Sequence, residues 1–170
     1  TGRMITFTAA RQGVGCTSNA LNLSYALASE GKRVLLVDAT YGRSSVYMKL
    51  GLPENYGYTV EDVIRIYSNN KDVSFLPLNT SRIKESEDKK IPENLFFLRF
   101  SDFFCQTDEF YYIRDIFENY LKIYDYVIVD TLLDYSSSVI TDITIISDWV
   151  VLVMIQDIYE INTSYQAMCD

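Results

Sequence analysis

Hydrophobic positions along this chain take two forms, short unbroken runs and helical stripes, and the two alternate from one end to the other. Met4 to Ala10 reads as a short buried strand. Arg11 to Cys16 is a glycine-bearing turn. From Thr17 to Glu30 the spacing becomes helical, with Ala20, Leu23 and Leu27 on one stripe, Leu21 and Ala28 beside it, and Gly31 at the closing position. Arg33 to Asp38 is an uninterrupted apolar run ending in a carboxylate, the pattern of a central parallel strand. Strand, loop, helix and strand in this order fold naturally as a right-handed βαβ unit.

The alternation continues downstream. Short helices are predicted over 44–50, ended by Gly51-Leu52-Pro53, and over 59–67, with Glu61 in the first turn. Residues 68–93 mix charges of both signs and read as a solvated loop. Leu95–Phe100 reads as a strand, and 108–123 as a helix with Phe110, Ile113, Phe117, Tyr120 and Leu121 inward. Tyr126–Asp130 is a second apolar strand ending in a carboxylate, 136–146 a crossover helix, Trp149–Ile155 a strand and 160–168 a last helix. No repeat or linker interrupts the series. The expected fold is α/β: a three-layer, open, mainly parallel sheet with helices on both faces, in one domain over 4–170. Thr1-Gly2-Arg3 before Met4 resembles an expression remnant and is left out of that fold.

Composition narrows the chemistry. The 170 residues are 48% hydrophobic and 22% charged, which excludes a disordered or fibrous chain. There is no histidine, so histidine catalysis and histidine metal sites are excluded. Cys16, Cys105 and Cys169 form no CxxC pair, which argues against a disulfide framework and for a reducing, cytoplasmic setting. No apolar run approaches a membrane span. The net charge is −8, but residues 1–50 carry six basic and two acidic side chains, a net of +4. The other 120 residues therefore carry −12, and an anion site is favoured in the first third.

Three features point to such a site. In open α/β sheets, ligands sit beyond the carboxyl ends of the strands. There the turn Ala10-Arg11-Gln12-Gly13-Val14-Gly15-Cys16-Thr17-Ser18 links strand to helix. Its glycines allow close backbone approach, and the helix start offers N–H groups and a positive dipole end to a phosphate. Thr17 and Ser18 can cap the helix or give a hydroxyl to hydrated Mg²⁺. Asp38 and Asp130 end two strands, and strand-end carboxylates beside a phosphate loop suit a Mg²⁺–nucleotide site. Taken singly, each carboxylate is equally an ordinary polar strand end.

The turn resembles the deviant Walker A loop, K-G-G-x-G-K-T-T/S, of the ParA/MinD family of P-loop ATPases. Residues 20–38 are similar to that family's first helix and second strand. Tyr124-Asp125-Tyr126-Val127-Ile128-Val129-Asp130-Thr131 resembles its Y-D-Y-[VI]-[IL]-[IV]-D-T strand, and Ser147-Asp148-Trp149-Val150-Val151-Leu152-Val153 its A-D-x-V-[IL]-[LV]-V segment. Four segments fall in the family's order over 4–155. The resemblance implies ATP or ADP with Mg²⁺, held by Arg11, Gln12, Gly13, Val14, Gly15, Cys16, Thr17, Ser18 and Asp130. It implies metal contacts from Thr17, Asp38 and Asp130, and hydrolytic roles for Asp38 and Arg11.

The departures are specific. The family's loop lysine falls on Cys16, its signature lysine on Arg11, and the second aspartate of its D-x-D on Thr40. The family's D-T-P-P-G reads Asp130-Thr131-Leu132-Leu133-Asp134, and its C-terminal strands have no counterpart in the 170 residues. Losing a charge-assisted contact of the lysine class costs about 1.5–3 kcal/mol, roughly ten- to a hundredfold in affinity. Turnover suffers more than binding, because the lysine and second aspartate serve the transition state. A low thiol pKa at the helix start is a further expectation for Cys16. The aromatic residues from Phe96 to Tyr112 read as mostly core, with some exposed toward a partner.

The resemblance implies a homodimeric, ATP-dependent switch or positioning factor acting through an unidentified protein partner, with weak or absent hydrolysis. The alternative is a pseudo-ATPase scaffold, as in pilus or secretion assembly. The acidic 51–170 region argues against nucleic acid, and the short acidic end at 160–170 against direct membrane binding.

Overall fold

The computed structural model describes all residues except 41–45, 53–56, 71, 75, 81–90, 101–109, 133–137 and 170. The strands are β1 (Arg3–Thr8), β2 (Val34–Ala39), β3 (Leu78–Asn79), β4 (Leu95–Arg99), β5 (Tyr126–Thr131) and β6 (Trp149–Leu152). The helices are α1 (Cys16–Ser29), α2 (Val46–Lys49), α3 (Val60–Asn69), α4 (Ile113–Tyr120), α5 (Ser138–Ile146) and α6 (Ile158–Cys169). A 3₁₀ turn at Phe110–Tyr112 leads into α4. The strands form one sheet in the order β3-β4-β2-β5-β1-β6, parallel except for the β3–β4 pair.

The unbroken apolar runs sit where both faces are covered. Along β2 every residue is buried, with alternate side chains going to opposite layers. Leu35 and Val37 join Met4, Val127, Val129 and Leu98 beneath α3, α4 and α5. Val34 and Leu36 join Ile5, Phe7, Ile128 and Phe97 beneath α1 and α2. The three-layer fold follows from this two-sided burial.

Local chemistry sets the helix ends. At the end of α1, Gly31 takes φ +83°, its N–H donates to the Ala28 carbonyl, and the Lys32 N–H reaches back to Leu27. Thr59 caps α3 in a reciprocal box with Asp62, not with Glu61, which is buried. Thr59→Ala is expected to cost about 1 kcal/mol in urea denaturation, and an unchanged midpoint would deny the box that role.

Two expectations need correction. Arg3 belongs to the fold: it pairs with Tyr126 as the first residue of β1, and its guanidinium meets Asp148 at 2.7 Å. The stretch read as loop contains β3, too short to carry a periodic signal. The described aromatic residues of 96–112 behave as expected, mostly core with some exposed. Phe97 and Phe100 are buried and Tyr111 is exposed, while Phe103 and Phe104 lie outside the described residues. The larger apolar exposure is at β6 and α6, where Trp149 is 52% and Tyr159 83% accessible. β6 is an outer strand of the sheet. Among the described residues no helix is long and apolar enough to cross a membrane.

Candidate functional site

At the carboxyl ends of β1, β2 and β5 the turn after β1 closes over a cleft of about 260 Å³. Its walls are Arg11, Gln12, Gly13, Gly15, Cys16, Thr17, Ser18, Thr40, Lys49, Asp130 and Leu132. Parallel register brings the parts together. Asp130 lies opposite both Phe7 of β1 and Asp38 of β2, so both carboxylates stand on one rung of the sheet. The loop itself depends on Gly13 at φ +84° and Gly15 at φ +97°, in the left-handed region that other residues avoid.

Gly15 is the residue from which α1 starts, and no side chain caps the helix. Thr17 and Ser18 therefore do not cap it, contrary to one expectation; they sit inside the first turn. The Gly15 carbonyl accepts from the Asn19 backbone N–H and from its side-chain amide, at 3.0 and 2.9 Å. The N–H groups of the first turn, at the positive end of the helix, remain for an anion or water in the cleft.

Asp130 is fully buried, and neither carboxylate oxygen has a hydrogen-bond partner. Burial pushes its pKa up to about 6, and the neighbouring Asp38 adds to the rise. The Thr17 hydroxyl, the Cys16 thiol and the Lys49 ammonium favour the ionised form, yet neither Thr17 nor Cys16 reaches it with hydrogen-bond geometry. A buried carboxylate without donors is costly in a protein that holds nothing there. It is the group a cation or a hydrated ligand would satisfy.

The other expected residues fall into distinct places. Arg11 and Gln12 are exposed at the rim. Val14 packs with the α1-side core and does not line the cleft. Asp38 is also behind the wall. Its Oδ1 accepts from the Thr40 N–H at 3.0 Å and the Thr40 hydroxyl at 2.6 Å, and Thr40 rather than Asp38 faces the cleft. The residue at the second-aspartate position thus holds the first aspartate in place. Cys16 is buried, and its thiol donates to the Thr131 carbonyl at 3.6 Å. Burial, with the Asp130 charge beside it, raises the thiol pKa. The expected low pKa is overturned, because the dipole of the helix is outweighed by loss of solvent.

Sequence reasoning missed Lys49. It is the last residue of α2 and an ordinary exposed cation by sequence, but it crosses to α1 and its Nζ donates to Ser18 Oγ at 2.9 Å. Among the described residues no group of three His, Cys, Asp or Glu side chains forms a metal cluster.

Comparison with known proteins bears on the family and the fold. The AAA domain family model AAA_31 matches residues 2–166. The septum site-determining protein MinD of Helicobacter pylori is 33% identical over 97 residues, 51% of this chain and 36% of that protein. MinD of Synechocystis sp. is 42% identical over 62 residues, 36% of this chain and 23% of that protein. Among solved structures, a MinC:MinD cell division protein complex from Aquifex aeolicus superposes with TM-score 0.72 at 22% identity, covering 99% of this chain and 62% of that one. A ParA family ATPase from Chlorobium tepidum gives 0.73 at 18%, covering 99% and 67%. The chain thus spans about a quarter to a third of these two MinD sequences, and about two thirds of the solved chains. A family model over nearly every residue and a fold shared with MinD and ParA structures lead to one conclusion: the chain belongs to the AAA_31 family and has the fold of the ParA/MinD-type P-loop proteins.

Proposed function

We propose that this protein binds ATP or ADP with Mg²⁺ in the cleft at the carboxyl end of its sheet and acts as a nucleotide-dependent homodimeric switch or positioning factor through a protein partner. The observation that carries this reading is Asp130, buried and unpaired at the foot of an uncapped helix and a glycine loop. The donor set fits Mg²⁺ of the kind that keeps water and phosphate ligands and takes only one or two protein oxygens. Thr17 and Asp130 would hold it directly or through water, Asp38 would stand behind Asp130, and the ion would neutralise phosphate charge. The loop N–H groups from Gly13 to Ser18 would bind phosphate oxygens, with Arg11 at the rim.

Hydrolysis is weak or absent on this reading. Cys16 brings no charge to the phosphates, and the Thr40 hydroxyl is already committed to Asp38. Arg11 and Asp38 are the residues proposed to sustain whatever turnover remains. The dimeric and partner-dependent part of the reading draws on the relatives: the Aquifex structure is a complex of MinC with MinD. A cytoplasmic location follows from the same reading.

Titration calorimetry with ATP and ADP in Mg²⁺ tests it, on the protein and on Cys16→Lys. Binding by both is expected, about ten- to a hundredfold tighter for the variant, since a buried ammonium beside Asp130 and the phosphates adds one charge-assisted contact. Binding by the variant alone would favour the pseudo-ATPase scaffold. ATP is also expected to shift the gel-filtration volume toward a dimer, and phosphate release by the parent at the rate of ordinary ATPases would overturn the weak-hydrolysis reading.

A further inference from the structure

The cleft lacks a loop lysine but does not lack a cation. Lys49 lines the same wall as Gly13, Gly15, Thr17 and Asp130, and its ammonium rests on the hydroxyl of Ser18, in the first turn of α1. A lysine with a solvent-exposed side chain gains little from one neutral hydroxyl. Its field nevertheless extends to Asp130, where it favours the ionised carboxylate. With Arg11 and Lys49 set against Asp130, the described lining carries one net positive charge, the sign a magnesium polyphosphate requires.

The fold explains why Lys49 can be there. Val46 and Leu50 are buried in the core layer beneath α1, together with Cys16 and Ala20. That anchorage fixes α2 beside the start of α1 and leaves the side chain of Lys49 at the cleft. A lysine is a compact charge on a flexible four-carbon stem, able to leave a hydroxyl for a phosphate oxygen without moving the backbone. Cys16, in contrast, is turned inward to Thr131 and is uncharged.

We infer that Lys49 is the phosphate-binding cation of this cleft, taking over from α2 the contact that position 16 of the loop cannot make. The inference rests on the nucleotide reading above and adds to it the residue on which affinity depends. It also has a structural consequence. Because the cation arrives from α2 and not from the loop, a bound polyphosphate bridges α1 and α2 and ties the segment after β2 to the loop after β1.

The test is calorimetry with Mg-ATP and with inorganic tripolyphosphate, on the parent, Lys49→Gln, Lys49→Arg and the double variant Lys49→Gln/Cys16→Lys. Lys49→Gln is expected to weaken both ligands about ten- to a hundredfold, the size of one charge-assisted contact. Tripolyphosphate shows that the loss concerns phosphate and not the base. Lys49→Arg is expected to keep most of the affinity, and the double variant to regain it. Lys49 is exposed, so melting temperatures should match and a folding defect is recognisable. If the parent binds Mg-ATP and Lys49→Gln binds it equally well, the assignment of Lys49 is wrong while the nucleotide reading stands. If the parent binds neither ligand, the nucleotide reading fails and the assignment with it.

Discussion

Asp130→Asn is expected to stabilise the ligand-free protein at neutral pH by about 2 kcal/mol relative to its effect at pH 4, and to abolish the Mg²⁺ dependence of nucleotide binding. The sign follows from the direction of the shift. Burial, with Asp38 alongside, raises the carboxyl from 3.8 to about 6, so the folded protein holds this proton more tightly than the unfolded chain. Well below its unfolded value of 3.8 the carboxyl is protonated in both states and costs nothing. As pH rises from about 4 to 6 the unfolded chain ionises first, and stability falls by about 1.4 kcal/mol per unit. Above 6 the loss is complete and constant. Burial is the largest cause of the shift; among the described residues, the Thr17 hydroxyl, Asp38 from β2, Cys16 from the start of α1 and Lys49 from α2 face Asp130 and modify it.

Asparagine has no proton to lose, so the stability difference between variant and parent grows between pH 4 and 6 and then levels. Any packing cost of the introduced amide is the same at every pH and drops out of that change. Urea denaturation of both proteins from pH 4 to 8 measures it, and parallel stability curves would show that Asp130 is not a strained carboxylate. The same substitution removes the anionic oxygen proposed to face Mg²⁺. Affinity for ATP should then be equal with and without the ion, whereas the parent should bind better with it. A site that is destabilising when empty and satisfied when filled is the expected signature of a residue held for its ligand and not for the fold.

Much of this arrangement was legible in the residues alone. Unbroken apolar runs gave β1, β2 and β5 because a strand covered on both faces needs no polar side, and Asp38 and Asp130 stood out as the carboxylates ending such runs. The glycines at 13 and 15 announced a backbone that no other residue adopts easily. What sequence could not give was which side of each residue the fold would use. Asp38 and Asp130 read alike, yet register and Thr40 turn one to a structural bond and leave the other unpaired. Cys16 promised a reactive thiol from its place at a helix start, but the three-dimensional burial that raises its pKa has no local signal. Lys49 was one cation in a short helix. Only the docking of α2 on the α1 layer, between residues thirty-one positions apart, brings it to Ser18. The β6–α6 surface was likewise hidden, because an apolar strand reads the same whether or not a neighbour covers it.

The amino end of the strands carries the converse expectation: Gly2→Ala should destabilise the protein by about 2–3 kcal/mol and leave nucleotide affinity unchanged. A Cβ on Gly2 would overlap the Tyr124 carbonyl oxygen and press on the Asp125 carbonyl, both of them backbone atoms that cannot rotate away. The segment has two ways to respond, and each is expensive. It can stay in place and strain the turn between α4 and β5, or it can peel off. Peeling breaks the Gly2 N–H to Leu121 and Arg3 N–H to Asp125 hydrogen bonds and loosens the Arg3 guanidinium from Asp148 and from the Trp149 ring. Backbone bonds contribute about 1 kcal/mol each, so both routes converge on the same loss. The cleft is spared, because it lies at the carboxyl end of β1 and Gly2 precedes its amino end. Urea midpoints and Mg-ATP calorimetry on the same preparation check the two halves together. A variant as stable as the parent would show that residues 1–3 are not part of the folded unit. A variant of lowered affinity would show that the two ends of the sheet's strands are coupled, and that strain at the amino end of β1 reaches Asp130 through the pairing of β1 with β5.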